Sequence, residues 1–281
     1  MLKNSVLFAP QVNLSEFKNL FIELTTTTCN LKCKHCFIDQ SKKKEKDFIT
    51  IETIQNALKD LQGENIEMIY LTGAEPMLHP EFNTILRLCL KYSEVTICTN
   101  AMCINEKKAR FLSKVENEGD NQLFFKISID HFDERKNDDI RGRGAYRKAM
   151  HAISALQKYD FCPTISVTNY YNLSEQEIFD GFIQSAQKLD IKLDRKSIVI
   201  NPCFNTHKEI EVTEIINMDF SSLDCAKSRT LNKHGVYTCP FLTNDHRGRM
   251  GANFRDFSKR NFLETELCIQ CQQHGKSIFL N

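Results

Sequence analysis

Short runs of β-type residues alternate with amphipathic segments as far as Pro202, and this alternation limits the fold more than any other feature. In the amphipathic segments, apolar residues recur every three or four positions, as on one face of a helix. Such alternation builds a parallel sheet from successive βα units. The predicted strands are Leu20–Thr26, Glu67–Leu71, Glu94–Cys98, Gln122–Ile129, Cys162–Val167 and Ser197–Ile200, and the predicted helices are Ile51–Gln62, Glu81–Tyr92, Glu106–Glu116, Tyr146–Tyr159 and Glu175–Leu189.

The predicted fold class is α/β, with a partial TIM-like (β/α)6 barrel and a small cysteine-rich C-terminal domain. A chain of 281 residues has room for one α/β core and a modest appendage. We place the boundary at about residue 205, so that residues 1–205 form the barrel and residues 206–281 the second domain. A short helix is expected near Glu211–Asn217. The final stretch is poor in aliphatic residues. A domain of fewer than ~80 residues usually needs a cross-link or a bound metal for stability, and a metal cluster would supply it.

Charge and hydropathy argue against two classes of partner. Lys and Arg total 37 against 36 Asp and Glu, so the chain lacks the overall positive charge typical of proteins that bind nucleic acid or an acidic membrane. No apolar run approaches the ~20 residues that cross a bilayer. The N-terminus lacks the basic start and apolar stretch of a secretory signal. We therefore expect a cytoplasmic protein with no membrane partner, and binding of nucleic acid is not expected.

The chain contains twelve cysteines, which need an explanation in the cytoplasm because thiols stay reduced there. Ligation of a metal or a cluster explains them better than disulfides do. Seven of them fall into two groups, Cys29, Cys33 and Cys36 near the start and Cys225, Cys239, Cys268 and Cys271 near the end.

The first cysteine group has the spacing C-x-x-x-C-x-x-C and directly follows the first predicted strand. Three thiolates can ligate three irons of a [4Fe–4S] cube, whereas ferredoxin-type electron carriers use four. The remaining iron would then be open to a substrate. Alternatively, the three cysteines are part of a zinc site, which takes four nitrogen or sulfur ligands, and His35 would complete it.

The segment Thr28–Phe37 resembles the radical S-adenosylmethionine (SAM) superfamily. The cysteine spacing and an aromatic residue, here His35, just before the last cysteine carry this resemblance. It implies that SAM chelates the open iron through its amino and carboxylate groups. It also implies that His35 and Phe37 contribute to SAM binding.

Further motifs of this superfamily occur where the later strands end. The sequence Gly73-Ala74-Glu75-Pro76 is similar to the Gly-Gly-Glu-Pro turn that holds the SAM amino group, with Ala74 in place of the second glycine. A glycine is required there only if the backbone adopts a conformation barred to residues with a Cβ. The alternative is a plain turn ahead of the helix at Glu81.

The third and fourth strands end in motifs of the same kind. Thr99-Asn100-Ala101 is similar to a Thr-Asn-Gly sequence, and Ser128-Ile129-Asp130 with Arg141-Gly142 resembles segments whose serine and arginine contact the SAM carboxylate. A guanidinium fork matches a carboxylate, although Arg141 could instead pair with nearby aspartates at the surface. Asn172, after the fifth strand, is a candidate contact for the SAM ribose or the substrate. Since sites of βα barrels lie at the C-terminal ends of the strands, these motifs predict one site.

The second cysteine group resembles the twitch domain, a shortened SPASM extension with a C-x(9–15)-G-x(4)-C element ahead of later cysteines. Cys225, Gly235 and Cys239 follow this order, with three residues instead of four in the second interval, and Cys268 and Cys271 form the later pair. The resemblance implies an auxiliary [4Fe–4S] cluster that is closed by four thiolates. A structural zinc bound by the same four cysteines is the alternative.

The other cysteines have no cluster spacing. Cys203 lies just after the sixth predicted strand, and the resemblance makes it a candidate hydrogen donor, as in relatives that epimerise their substrates. A lone cysteine is more often a small buried hydrophobe. The remaining cysteines fall in helix or strand patterns and are expected to pack in the core, namely Cys89, Cys98, Cys103 and Cys162.

The resemblance implies an enzyme of the oxidoreductase, maturase or epimerase type. A flavodoxin- or ferredoxin-type donor would reduce the first cluster, and SAM would be cleaved to methionine and a 5′-deoxyadenosyl radical that abstracts hydrogen from a substrate C–H bond. The net reaction would be oxidation, cross-linking or epimerisation of a peptide or of a small polyol or other natural-product precursor. The alternative is a zinc-stapled or two-cluster electron-transfer or interaction protein without SAM chemistry.

Overall fold

The computed structural model describes residues 10–38, 47–204 and 223–274. The predicted boundary at residue 205 and the predicted helix at Glu211–Asn217 lie outside these residues. The strands are β1 (Gln11–Asn13), β2 (Asn19–Thr25), β3 (Met68–Gly73), β4 (Glu94–Thr99), β5 (Leu123–Ser128), β6 (Thr164–Asn169), β7 (Ile198–Pro202), β8 (Ser228–Asn232), β9 (Gly235–Tyr237), β10 (Arg249–Gly251) and β11 (Arg260–Phe262). The α-helices are α1 (Ile51–Asp60), α2 (Phe82–Leu90), α3 (Glu106–Glu116), α4 (Glu134–Arg141), α5 (Ala145–Gln157), α6 (Glu175–Gln187) and α7 (Glu266–His274).

Strands β2 to β7 pair in chain order, and every neighbouring pair is parallel. With α1, α2, α3, α5 and α6 between them, they form the predicted partial (β/α)6 barrel. All six predicted strands and all five predicted helices are present, with ends that differ by two residues at most. The α/β prediction is therefore confirmed.

The two faces of β2 show why this strand lies near the middle of the sheet. Leu20, Ile22 and Leu24 are fully buried in the main hydrophobic core. Phe21, on the opposite face, stacks on Tyr70 of β3 with ring centroids 4.5 Å apart. Burial on both faces is typical of parallel strands that helices cover. Within the described parts of the chain, no helix is long and apolar enough to cross a membrane.

The C-terminal strands extend the barrel sheet at its β2 edge. Strand β8 pairs parallel with β2, and β9 and β10 continue the sheet in antiparallel pairs. Strands β1 and β11 form a separate antiparallel pair. The sequence analysis did not predict these short strands, nor α4, whose sequence ERKNDDIR has a single aliphatic residue.

Glu23 joins β2 to this C-terminal region. Its carboxylate is 2% exposed and accepts hydrogen bonds from Asn232 Nδ2 at 3.0 Å and Thr243 Oγ1 at 3.1 Å. Burial raises the pKa of Glu23 to about 7, because these two neutral donors compensate for only part of the lost hydration.

Glu23→Gln is expected to flatten the pH dependence of stability between about pH 4.5 and 7. The folded pKa of Glu23 lies above its ordinary value, so folding takes up a proton in this range. Its contribution is complete below the unfolded pKa and is lost as the pH rises through 7, a change of roughly 3 kcal/mol. Chemical denaturation at several pH values measures this change, with Glu52→Gln, at an exposed position of α1, as control. If the free energy of unfolding changed with pH equally in wild type and Glu23→Gln, the raised pKa of Glu23 would be contradicted.

Candidate active site

A cavity of about 750 Å³ opens where strands β2 to β7 end. Its walls contain residues that the sequence analysis had selected from several separate motifs. Parallel strands bring their C-terminal ends to one edge, which explains the convergence. The predicted residues that line the cavity are Cys29, Cys33, His35, Cys36, Phe37, Gly73, Ala74, Glu75, Ser128, Arg141 and Cys203.

Asn172 does not line the cavity. It has a left-handed backbone with φ of 53°, and its N–H donates to the carbonyl of Asn169 at 3.4 Å, in the turn that follows β6. Asn201 of β7 lines the cavity instead, with Nδ2 donating to Ser166 Oγ at 2.9 Å. Sequence reasoning did not select Asn201, although it directly follows the last predicted strand.

The loop from β2 to the first cysteines is held by the buried carboxylate of Asp47. Asp47 accepts hydrogen bonds from the Thr25 hydroxyl at 2.6 Å and from the backbone N–H of Thr27 at 2.5 Å and of Thr28 at 2.9 Å. The Thr26 hydroxyl donates to it as well. Burial raises the pKa of Asp47, but the hydrogen bonds from the threonines lower it well below its ordinary value.

Donors surround the thiol of Cys29. The backbone N–H of Leu31 donates to Cys29 Sγ at 3.4 Å. Asn100 Nδ2 contacts Cys29 Sγ at 3.5 Å and Asn30 Oδ1 at 2.8 Å. Such donors suit a thiolate ligand, because they stabilise negative charge on sulfur. Asn100, from the Thr-Asn-Ala motif at the end of β4, is a site residue that sequence reasoning did not select.

The turn after β3 is shaped by a close approach to β2. The φ of Gly73 is +116°, and a Cβ there would lie 2.3 Å from the carbonyl oxygen of Thr25. The N–H of Ala74 donates to that same oxygen at 3.0 Å. Ala74 is not among the residues with positive φ, so an alanine is accommodated where related sequences have a second glycine.

Glu75 directs its carboxylate into the protein. Glu75 is fully buried, and its carboxylate accepts hydrogen bonds from Met77 N at 3.1 Å, Thr99 Oγ1 at 2.8 Å and Asn100 N at 2.9 Å. Burial raises the pKa of Glu75, and the three hydrogen bonds oppose that shift. Glu75 therefore ties the end of β3 to the end of β4.

Arg141 is buried at 7% exposure and pairs with Asp130. Its Nη2 donates to Asp130 Oδ1 at 2.9 Å, and its Nε lies 2.6 Å from Oδ2. His35 Nε2 lies 2.6 Å from the same Oδ2. Burial raises the pKa of Asp130, but Arg141 and His35 lower it well below its ordinary range. The alternative of a surface ion pair with nearby aspartates is wrong. Sequence reasoning did not select Asp130, which fixes the positions of both Arg141 and His35.

The four cysteines of the second group meet in one place. They share a small hydrophobic cluster with residues that include Val12 and Leu223. Burial raises the pKa of Cys225 to about 12 and that of Cys239 well above its ordinary value, and neighbouring thiols add to both shifts. In the described chain, no three His, Cys, Asp or Glu side chains are grouped closely enough to hold a single metal ion. Cluster ligation by either group is therefore a proposal, developed below.

The remaining cysteines have different environments. Cys89 is buried in the core as predicted, whereas Cys162 is exposed, so its predicted packing role is wrong. Cys98 lines the cavity, and Cys103 Sγ lies 3.9 Å from Asn30 Nδ2. Cys203 is exposed at the cavity wall.

A comparison with known families matches residues 24–180 to the Radical SAM superfamily. The match covers more than half of the chain and includes the first cysteine group, the turn after β3 and the Asp130–Arg141 pair. The chain belongs to the radical SAM superfamily. Membership implies a [4Fe–4S] cluster and SAM as cofactors.

The curated relatives of this radical SAM chain have names that refer to different processes. The antilisterial bacteriocin subtilosin biosynthesis protein AlbA of Bacillus subtilis (strain 168) is 26% identical over 136 residues, which are 48% of this chain and 29% of AlbA. The GTP 3',8-cyclase of Peptoclostridium acidaminophilum is 24% identical over 259 residues, 81% of this chain and 76% of the cyclase. The chain thus matches less than a third of AlbA.

Solved structures confirm the fold. The structure of anSMEcpe with bound AdoMet (SAM) superposes with a TM-score of 0.66 at 18% identity, over 90% of this chain and 79% of anSMEcpe. The same protein has been solved with AdoMet and the Cp18Cys peptide. At this level of identity, the likeness establishes the radical SAM fold.

Gly73→Ala is expected to destabilise this radical SAM chain more than Gly63→Ala does. Gly63 also has positive φ, +101°, but no atom lies within 4 Å of the place a Cβ would take there, so only backbone strain of ~1 kcal/mol is expected. At Gly73 the clash with the Thr25 carbonyl adds roughly 1–3 kcal/mol. Urea denaturation of both variants measures the difference. Equal losses would show that β2 and β3 separate easily.

Proposed function

We propose that this chain is a radical SAM enzyme that abstracts hydrogen from a C–H bond of a peptide. Cys29, Cys33 and Cys36 would hold the SAM-binding [4Fe–4S] cluster. The observation that carries the proposal is the cavity in which this cysteine loop, the turn after β3, Ser128 of β5 and Arg141 of α4 meet. An electron-transfer or zinc-stapled protein has no need of such a cavity beside its metal ligands.

The residues around the cysteine loop fit a cluster with one open iron. Three thiols lie on one loop, and the N–H of Leu31 and the amide of Asn100 donate toward Cys29 Sγ. Burial raises the pKa of Cys33 to about 11, and Arg141 opposes this shift, so a positive charge lies close to the thiols. When bound, the cluster supplies the electron that cleaves SAM and yields the hydrogen-abstracting radical.

The chain's own groups would orient SAM and the substrate. The backbone of Gly73 and Ala74 would face the SAM amino group, because the Glu75 side chain is engaged with protein donors. Ser128 and Arg141 would meet the SAM carboxylate. Arg141 is held by Asp130 before any ligand binds, so little side-chain entropy is lost on binding. His35 and Phe37 would close the cavity around the ligand.

The second cysteine group would hold an auxiliary [4Fe–4S] cluster. The four thiols share one buried cluster, and four thiolates leave no iron open. Such a centre transfers electrons to or from the substrate, with a flavodoxin- or ferredoxin-type protein as the external donor. Cys203, exposed at the cavity wall, would be the hydrogen donor if the net reaction is an epimerisation.

A peptide substrate is supported by the names of the relatives and by the cavity rim. AlbA takes part in bacteriocin biosynthesis, and anSMEcpe has been solved with a peptide. On one side of the rim, Phe37 and Phe204 each pack edge-on against Phe241, with centroids 4.9 and 5.0 Å apart. Aromatic groups at an open rim suit side chains of a peptide. A small-molecule substrate is the second candidate, because the GTP 3',8-cyclase match covers 81% of the chain.

Cys33→Ala is expected to abolish formation of 5′-deoxyadenosine from SAM and dithionite in anaerobically reconstituted protein. Loss of a ligand should exceed the roughly 100-fold effect that outer-shell changes produce. Cys162→Ala, a control at an exposed cysteine away from the cavity, should keep full activity. Activity of Cys33→Ala equal to wild type would refute SAM cleavage at this loop.

The iron content tests the auxiliary cluster. Wild type should bind about eight irons per chain, and Cys268→Ser should bind about four, because each cluster holds four. About four irons and one zinc in wild type would instead assign a zinc staple to the second group.

Protease treatment is expected to distinguish a peptide from a small-molecule substrate. Small-protein extract from the source cells should raise 5′-deoxyadenosine formation above the uncoupled rate, because substrate binding completes the cavity. Digestion of the extract with a broad-specificity protease should remove the stimulation, and desalting should leave it. Stimulation that resists protease and is lost on desalting would favour a small molecule.

A further inference from the structure

Arg229 of β8 is a fully buried cation, with 0% exposure. Its Nη1 donates to the carbonyl oxygens of Cys225 and Ser228 at 2.7 Å each, and its Nη2 donates to that of Lys259 at 2.9 Å. No ion pair joins it to a carboxylate in the described chain. Its Nε is buried with no hydrogen-bond partner in those residues.

A buried charge without a counter-ion is unfavourable, because burial removes its hydration. Backbone carbonyls supply partial negative charge but no full charge. Burial lowers the pKa of Arg229 to about 10, whereas Cys225 and Cys239 raise it. Two thiols of the second cysteine group, Cys225 and Cys239, are therefore close enough to Arg229 to act on its charge.

Asn261 of β11 shows the same pattern. It is 2% exposed, and neither amide atom has a well-aligned hydrogen-bond partner in the described residues. Burial raises the pKa of the Cys225 thiol, and Arg229 and Asn261 lower it. Two buried polar side chains on different strands therefore approach the same thiol, and each has at least one polar atom, Nε of Arg229 and the amide of Asn261, without a hydrogen-bond partner in the described residues.

We propose that Arg229 and Asn261 are positioning residues for the auxiliary cluster, with Arg229 as its counter-charge and Asn261 as a donor to its sulfur ligands. This inference rests on the proposed auxiliary cluster. Four thiolates outweigh the charge of an iron–sulfur core, so the ligated centre is an anion. Reduction adds a further negative charge, and a buried cation beside it stabilises the reduced form more than the oxidised form. Hydrogen bonds to the sulfurs act in the same direction.

The experiment isolates the second cluster in the full-length chain. A background variant with Cys29, Cys33 and Cys36 all changed to Ala retains the second group alone, and its iron content is measured first. Arg229→Gln is then added, and the midpoint potential is measured by an EPR-monitored redox titration. The expected shift is to lower potential by at least tenfold in the reduction equilibrium, about 59 mV for one electron.

Two further variants keep the inference testable if Arg229→Gln fails to assemble, since Arg229 also satisfies three carbonyls. Asn261→Leu removes the amide without a change of charge and should lower the potential by a smaller amount. Arg229→Lys keeps the charge and should shift the potential less than Arg229→Gln. Arg255→Gln, at an arginine with 70% side-chain exposure that pairs with Asp60, is the matched control and should cause no shift.

The outcomes separate this inference from the function on which it rests. Iron in the background protein with a potential that Arg229→Gln and Asn261→Leu leave unchanged overturns the inference alone. Zinc in place of iron in the background protein overturns the auxiliary cluster, and the redox role of Arg229 with it. A lowered potential in either variant, with Arg255→Gln unchanged, supports the inference.

Discussion

The carboxylate of Asp47 is the interaction on which the geometry of the first cysteine group depends. It accepts hydrogen bonds along the whole Thr25–Thr28 segment, which leads directly into Cys29. Hydrogen bonds to a charged group are worth roughly 1.5–3 kcal/mol each, so several on one carboxylate hold a loop firmly. Lys233, between β8 and β9, lies 3.2 Å from Asp47, which connects the C-terminal region to the same loop.

Buried carboxylates serve the same purpose elsewhere around the cavity. Glu75 joins the ends of β3 and β4, and Asp130 holds Arg141 and His35. In each case the carboxylate accepts hydrogen bonds from protein groups. The backbone of Gly73 and the guanidinium of Arg141 are therefore held in position before a ligand binds. At the second cysteine group the buried charge has the opposite sign, because the cation Arg229 lies beside the thiols. Preorganised charge of this kind is most effective where water is excluded.

The predictions succeeded where the signal was local and periodic. The strands of the barrel are short runs of β-type residues and its helices repeat their apolar residues every third or fourth position, so each element could be recognised from its own short stretch of sequence. Prediction failed for α4 and for the three-residue strands β1, β9, β10 and β11, because tertiary pairing stabilises them and their sequences show no period. Asn172 was selected and Asn201 was not considered, and only the tertiary structure shows that Asn201 lines the cavity.

The spacing of Cys29, Cys33 and Cys36 and the order of the motifs after each strand were enough to determine the superfamily, because such features lie within a few residues of one another. Only the tertiary structure decided what surrounds them. Asp130 meets His35 across 95 residues of sequence, and Glu23 meets Thr243 across 220. Pairs so distant leave no pattern in a single chain, since burial and the local field arise only when the sheet brings its strand ends together.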